Sequence, residues 1–503
     1  MNKVLLCHVP SSFVVECWSL LLSSTNSDSF LLEWIRHCTA AACFSYSRWQ
    51  TRGSNKGRLV GTKQRVRVRR SVESIRNEIG DVLFQRSYRM SYRSFEELHR
   101  LLQPHILAVH RELMEEAARK RHERERRKGR RKNRQEFRTK WKRFVPNGSI
   151  DTAVRLAVAL RFFAGGSIYD IAPPLYGIGR PDAFSSIWLV VEAVHRTQAL
   201  DLVFPENHVH QRLLAQEFAK RSQAGFECCV GAVDGILIWI LEPSDSCSRI
   251  SHCDATKFFC GRKHKFGMNC QAVADCRGRF LDMSIRFPAS TSDCLAFESS
   301  DLYGRLSNGL LAEGLCLFGD NAYLNSPFLA TPYPNVSSGY KDAYNFFHSQ
   351  LRIRVECAFG MFVQRWGILR SAFPRGITLT KTTATVLALA KLHNFCIDQK
   401  DNNIPSMTDA DELRMVSNGT GSVSLVHEEI NAVHDGTSGD GTAETRIPRE
   451  LIGAGDHFDD VPREIRETRR REYSDIRLPR ERLAEDYVRE NNYQRPRPRG
   501  AGG

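Results

Sequence analysis

Between Val230 and Leu241 runs an apolar, β-branched stretch with one acid in its middle, Gly231-Ala-Val-Asp234-Gly235-Ile-Leu-Ile-Trp-Ile240. Such a run reads as a strand covered on both faces, which demands layers of structure on either side. An ionised carboxylate inside it is costly unless a cation or hydrogen-bond donors satisfy it. Gly235 leaves space beside the acid for a bulky ligand. Taken alone, Asp234 also reads as a buried acid capping a turn.

Two further acids share this kind of setting. Asp320 closes the short apolar run Leu315-Cys-Leu-Phe-Gly-Asp320 and, alone, reads as a loop-start cap. Glu356 sits on a helix predicted over 349–369, with Val355, Phe359, Phe362, Trp366 and Leu369 as its apolar stripe. Alone, it reads as an ion-pair partner of Arg352 or Arg354. Together the three acids follow a strand, strand, helix order. A short Asp is placed well by a rigid strand, and a longer Glu reaches the same point from a helix alongside. Carboxylates so placed suit two divalent cations about 4 Å apart, one activating the attacking oxygen and one stabilising the leaving oxygen. The leading expectation is an enzyme that cuts DNA phosphodiesters. Asp293 either caps the helix that begins near Ser290 or serves as an accessory acid.

The surrounding pattern alternates strands and helices. Residues 267–275 and 279–287 flank the turn Cys276-Arg277-Gly278 as a hairpin, and another helix is predicted over 380–397. A three-strand meander, a helix and a further strand match an α/β domain with an RNase H-like order over 226–398. Arg262 and Lys263 before the second strand, and Arg352 and Arg365 along the Glu356 helix, could hold DNA phosphates or simply solubilise the surface.

The flanks read differently. Residues 1–75 have weak periodicity and no assigned fold. Residues 76–145 form a helical segment, capped at Ser91 or Ser94, that leads into a basic arm. From Arg119 to Arg143 there are fifteen Lys/Arg against three Glu. That arm reads as a solvated helix, a nuclear-import signal or a phosphate-binding element. Residues 146–225 give helix, short helix, turn, helix, the layout of a helix-turn-helix module and also of ordinary three-helix packing. Residues 399–503 are polar and are expected to be mostly disordered, with charged helices conceivable around 462–491. The net charge of +15 suits a polyanionic partner. Fifteen cysteines without paired spacing argue for reduced thiols inside a cell. No stretch reaches the length of a transmembrane helix. A basic RNA-binding scaffold is disfavoured, because no repeated aromatic-basic motif appears.

The ordered motifs resemble the Harbinger-type (PIF/Harbinger) DDE transposases and their domesticated nuclease relatives. The likeness is carried by Gly231-Ala-Val-Asp-Gly235, Phe259-Cys-Gly-Arg-Lys263, Asn269-Cys-Gln-Ala-Val-Ala-Asp275, Gly319-Asp-Asn-Ala-Tyr-Leu324, Thr331-Pro-Tyr333, Arg354-Val-Glu-Cys-Ala-Phe-Gly360, Arg365-Trp366 and Leu392-His-Asn-Phe395. Thirty-five residues separate Asp320 from Glu356, which suits the family's spacing. The resemblance implies a helical DNA-binding part, an RNase H-like catalytic domain, and endonuclease and strand-transfer activity dependent on two Mg2+ or Mn2+ ions held by Asp234, Asp320 and Glu356. It further implies a nuclear protein acting on double-stranded transposon ends and target DNA, with a Myb-like partner and self-association as further expectations. The alternative is a host-retained DNA-binding or regulatory protein that does not cut. Two departures stand out. The usual His-Asp-Ser reads Ser292-Asp293-Cys294, and the usual small residue after the second acid is Asn321.

Overall fold

The run around Asp234 forms β1 (Cys229–Trp239), at the centre of a six-stranded sheet. The computed structural model describes residues 68–127, 149–243, 254–401, 473 and 476–496, all within one unit, Val66–Gly503. The other strands are β2 (Phe259–Cys260), β3 (Lys265–Ala274), β4 (Phe280–Pro288), β5 (Cys316–Phe318) and β6 (Leu329–Ala330). β3 lies antiparallel between β1 and β4, while β5 and β6 extend the sheet in parallel on the other side of β1. The sheet is therefore mixed. Its hairpin turn is closed by the Asp275 carboxylate, which accepts the backbone N–H groups of Arg277 (2.8 Å) and Arg279 (2.9 Å).

Helices cover both faces, as a buried central strand requires. They are α1 (Val72–Tyr88), α2 (Tyr92–Arg127), α3 (Thr152–Phe163), α4 (Arg180–Arg196), α5 (His208–Ala219), α6 (Asp293–Glu298), α7 (Asp301–Ser307), α8 (Gly339–Arg365) and α9 (Leu379–Asp398). Ala232, Cys270, Ala272 and Phe280 face one core with Val355 and Phe362 of α8 and Leu389 of α9. Val233, Val273, Leu281 and Leu317 face the opposite core with Ala215, Phe297 and Leu302. The predicted helix over 349–369 starts ten residues earlier, at Gly339, and its last turn tightens to a 3-10 turn, Gly367–Arg370.

The N-terminal helices continue the first core. It runs unbroken from Val72 to Cys396, and Phe163 meets Trp366 edge-on with ring centroids 6.5 Å apart. Ser91 caps α2, its hydroxyl accepting the Ser94 N–H at 3.2 Å. The helix, short helix, helix order of α3, Ile168–Asp170 and α4 is present. From Leu189 to His195, α4 is buried throughout, so its outward positions are concentrated near its start, at Arg180, Phe184 and Ser185. α2 carries the basic arm as far as Arg127; the remainder of that arm and residues 1–67 lie outside the described residues.

Within the polar tail, Pro479–Arg482 and the wider turn Leu483–Arg489 pack against the body, inside the 462–491 span where the sequence allows charged helices. Ala484 and Val488 are fully buried beside Phe226 and Phe347, and the Tyr487 hydroxyl donates to the Ala224 carbonyl at 2.7 Å. Leu483, Ala484, Tyr487 and Val488 recur at helical spacing amid charged neighbours, which supplies one apolar face. Among the described residues no helix is long and apolar enough to cross a membrane.

Candidate active site

Pleat and register bring the acids towards one place. Asp234 shares the face of β1 that Ala232 presents to α8, because side chains alternate along a strand. Ala232 pairs with Phe318 across the parallel β1–β5 ladder. Asp234 and Asp320 each lie two residues further on, so the register sets them level, Asp234 within β1 and Asp320 just past the end of β5. Gly319 is needed there: a Cβ would stand 3.0 Å from Tyr323 and 3.1 Å from Val233. Asp320 then turns the chain, its carboxylate accepting the Ala322 N–H at 2.9 Å.

α8 supplies the third acid and a cation. Nη1 of Arg352 lies 3.7 Å from Oδ2 of Asp234 and also bonds Oε1 of Glu356. Asp234 is only 19% exposed, whereas Glu356 is 45% exposed. Burial pushes the Asp234 carboxyl up to about 6. The charges of Asp320 and Glu356 add to that rise; the Gly235 N–H at 2.8 Å and Arg352 oppose it. The three acids thus share one electrostatic field. They are not gathered to ligand distance: among the described residues no three of His, Cys, Asp and Glu stand close enough to hold an ion.

The donor set nevertheless fits a hard divalent cation. It is all oxygen, it comes from three separate elements, and its most buried member has its proton affinity raised first by burial and then by the neighbouring carboxylates. A cation would offset their negative charge, as the Arg352 guanidinium partly does.

A second layer fixes Asp293. Its Oδ1 accepts from Asn269 Nδ2 and Gln271 Nε2, both at 2.9 Å, while Ser292 rather than Asp293 caps α6. Gln271 in turn accepts from the Tyr323 hydroxyl at 2.6 Å. Burial, then the charges of Asp234, Asp293 and Asp320, raise the Tyr323 phenol well above its ordinary value. This chain of bonds ties the Asp320 loop to β3. It also fills the space beside Gly235, where a Cβ would meet Asp293 Oδ1 at 2.3 Å and Gln271 Nε2 at 2.6 Å. The room expected there for a ligand is therefore occupied by the protein's own carboxylate and amide. Sequence reasoning missed Gln271 and Tyr323, although a polar Gln inside a β-branched strand was a visible signal.

The basic candidates separate. Arg262 and Lys263 are exposed on the β2–β3 turn. Lys265 beside them is seven residues along β3 from Ala272, the partner of Asp234, or roughly 20 Å away. Arg365 is buried, with its guanidinium donating to the backbone carbonyls of Arg89 and Asp401 at 2.9 Å each. It braces the fold instead of meeting solvent. Arg352 alone of these four lies among the acids.

Residues 233–394 match the family model described as DDE superfamily endonuclease. The chain is 25% identical over 253 residues to "Putative nuclease HARBI1" of Bos taurus, covering 50% of this chain and 68% of that protein. It is 25% identical over 271 residues to "Protein ALP1-like" of Arabidopsis thaliana, covering 50% and 62%. The Xenopus laevis protein named as in Bos taurus is also 25% identical, over 278 residues and 73% of its length. The chain thus spans about two thirds of the length of the curated relatives it matches. The resemblance to Harbinger transposase-derived nucleases is borne out. No solved structure matches the chain significantly.

Proposed function

We propose that the chain is a metal-dependent DNA endonuclease of the DDE type, with Asp234, Asp320 and Glu356 as its metal-holding acids. The endonuclease family match and the relatives named as nucleases support a nuclease function and a DNA substrate. The observation that carries the site assignment is the level placement of Asp234 on β1 and Asp320 just past β5, with Glu356 joined to Asp234 through Arg352. The sheet order β4-β3-β1-β5-β6, with β3 antiparallel to its neighbours, supports an RNase H-like reading of the domain.

In this reading the three carboxylates would hold Mg2+ or Mn2+. Bound divalent ions supply an activated attacking oxygen and charge stabilisation at the leaving oxygen. Asp234, with its carboxyl raised to about 6, is mostly ionised at neutral pH and loses its metal-holding role as pH falls through that value. Arg352 balances the acids in the free protein and turns to an incoming phosphate when the substrate arrives. Gln271, Asn269 and Asp293 hold the wall behind Asp234, and Tyr323 anchors the Asp320 loop. Strand joining would follow cutting, with the freed 3′-hydroxyl attacking target DNA. A nuclear location, a Myb-like partner and self-association belong to the same proposal.

One observation favours a second reading, a host-retained DNA-binding protein that does not cut: Arg352 already engages two of the acids. Purified protein, Mg2+ and a duplex carrying the repeats that flank this reading frame decide between them. Cleavage that Asp234→Asn abolishes, with duplex binding retained, upholds the nuclease. A variant that cuts like the wild type removes the assignment, and binding without any cleavage selects the second reading.

A further inference from the structure

On α8, Arg354 and Cys357 face a cavity of about 530 Å3, one wall of which also carries Arg221, Arg277, Asp398 and Lys400. Four cations thus meet one carboxylate. Asp398 is already paired with Arg279, outside the cavity, at 3.1 Å. Arg277 leans on Asp275 at 3.7 Å and Glu217 at 3.8 Å. Arg221, Arg354 and Lys400 have no carboxylate partner among the described residues. Nε of Arg354 is buried with no hydrogen-bond partner among the described residues. Like charges around one cavity repel by about 1 kcal/mol or more per close pair near a surface, and an anion in their midst reverses the sign.

The position of this cavity narrows the anion. An α-helix turns about 100° per residue, so Arg354 and Glu356, two residues apart, point to opposite flanks of α8. Glu356 and Arg352 take the flank towards Asp234, and Arg354 takes the flank towards the cavity. The outward ridge between them, Ile353, Cys357, Gly360 and Gln364, is exposed and uncharged. The flanks are one helix diameter apart, about 10–12 Å, close to the ~12 Å width of the major groove.

We propose that the cavity binds a backbone phosphate of duplex DNA, on the strand opposite the one presented to the acids. α8 then lies across the groove with one strand on each flank. This rests on the nuclease reading, since the acids define which strand is cut.

The test uses the full chain carrying Asp234→Asn, so that DNA is bound without being cut. Binding of a short duplex is measured over a range of salt, with and without Arg354→Gln and Lys400→Gln. The slope of log Kd against log salt should fall by about 0.9 for each cation removed. Arg354→Lys should restore its share, and thermal midpoints confirm that the variants fold. The same single strand without its complement should show no such change. Alkylation of Cys357 should slow when duplex is present. An unchanged slope in duplex, with cleavage still dependent on Asp234, overturns the phosphate site and leaves the nuclease standing. Equal losses on duplex and single strand overturn the opposite-strand assignment. A chain that neither binds nor cuts duplex removes both proposals.

Discussion

Nη1 of Arg352 stands 3.7 Å from Oδ2 of Asp234, so the best-buried acid of the site is partly neutralised by the protein itself. A divalent cation must therefore compete with a guanidinium that also holds Glu356. Removing that competitor should tighten metal binding. Exposure of Glu356 discounts the full Coulomb value, which leaves about 1–2 kcal/mol, or roughly 5- to 30-fold. Calorimetric titration of Mn2+ into the wild type and Arg352→Gln checks this. Equal or weaker affinity in the variant would show that Arg352 does not compete with the ion.

Gly235→Ala places a methyl group where Asp293 and Gln271 already sit, at 2.3 and 2.6 Å. Both atoms are held by hydrogen bonds, to each other and to Asn269, so neither gives way cheaply. Stability should fall by about 1–3 kcal/mol, the usual range for overpacking. Asp293→Ser shortens the obstructing side chain. In that background the cost of Gly235→Ala should shrink, and a four-variant urea-denaturation cycle reads the coupling directly. Strict additivity would mean that the clash is relieved some other way.

Asp234 stood out because it interrupts an apolar run, an interruption costly enough to need a reason, whereas Asp320 closes a run and Glu356 lies beside an apolar helical stripe, so those two stood out only in combination with it. The hairpin around Cys276-Arg277-Gly278 and the helix carrying Glu356 were legible from periodicity and turn chemistry. Arg365 was misread. Its sequence neighbourhood looks like a charged helix end, but only the fold shows that it spends its donors on the carbonyls of Arg89 and Asp401. The Tyr323–Gln271–Asp293 chain was equally hidden. Its members are 52 and 22 residues apart, and a hydrogen bond across that distance leaves no local pattern.

The C-terminal element, within the span where the sequence allows charged helices, makes a prediction of its own. Val488 is buried against Phe226 and Phe347, and Asn325, in the loop that follows Asp320, donates to Glu481 at 3.4 Å. Val488→Asp would bury an unpaired charge, which costs more than a single surface turn can supply. The element should detach. Hydrogen exchange should quicken over 478–495 and along the first turns of α8, while β1 and β3 stay protected. Unchanged protection in α8 would mean that the element rides on the body without bracing it.

Three buried histidines should make the fold less stable in acid. His195, His348 and His393 each donate Nε2–H to a backbone carbonyl, of Ala384, Ala330 and Gly278, at 2.7, 3.0 and 3.1 Å. Nδ1 of His195 and of His393 is buried without a partner among the described residues, so a proton there meets no acceptor among them. Burial lowers His195 and His348 to about 4 and His393 to about 3. In the unfolded chain each returns to the ordinary value near 6.5. Between these limits the unfolded state binds more protons than the folded one, so stability rises with pH in that window. It is complete above about pH 6.5 and is lost progressively as pH falls towards 4 and then 3. Urea midpoints measured from pH 7.5 down to 4 should decline steadily. His393→Gln keeps a donor for the Gly278 carbonyl but cannot titrate, so its decline should be shallower than the wild type's. An equal slope in the two proteins would place the acid sensitivity elsewhere.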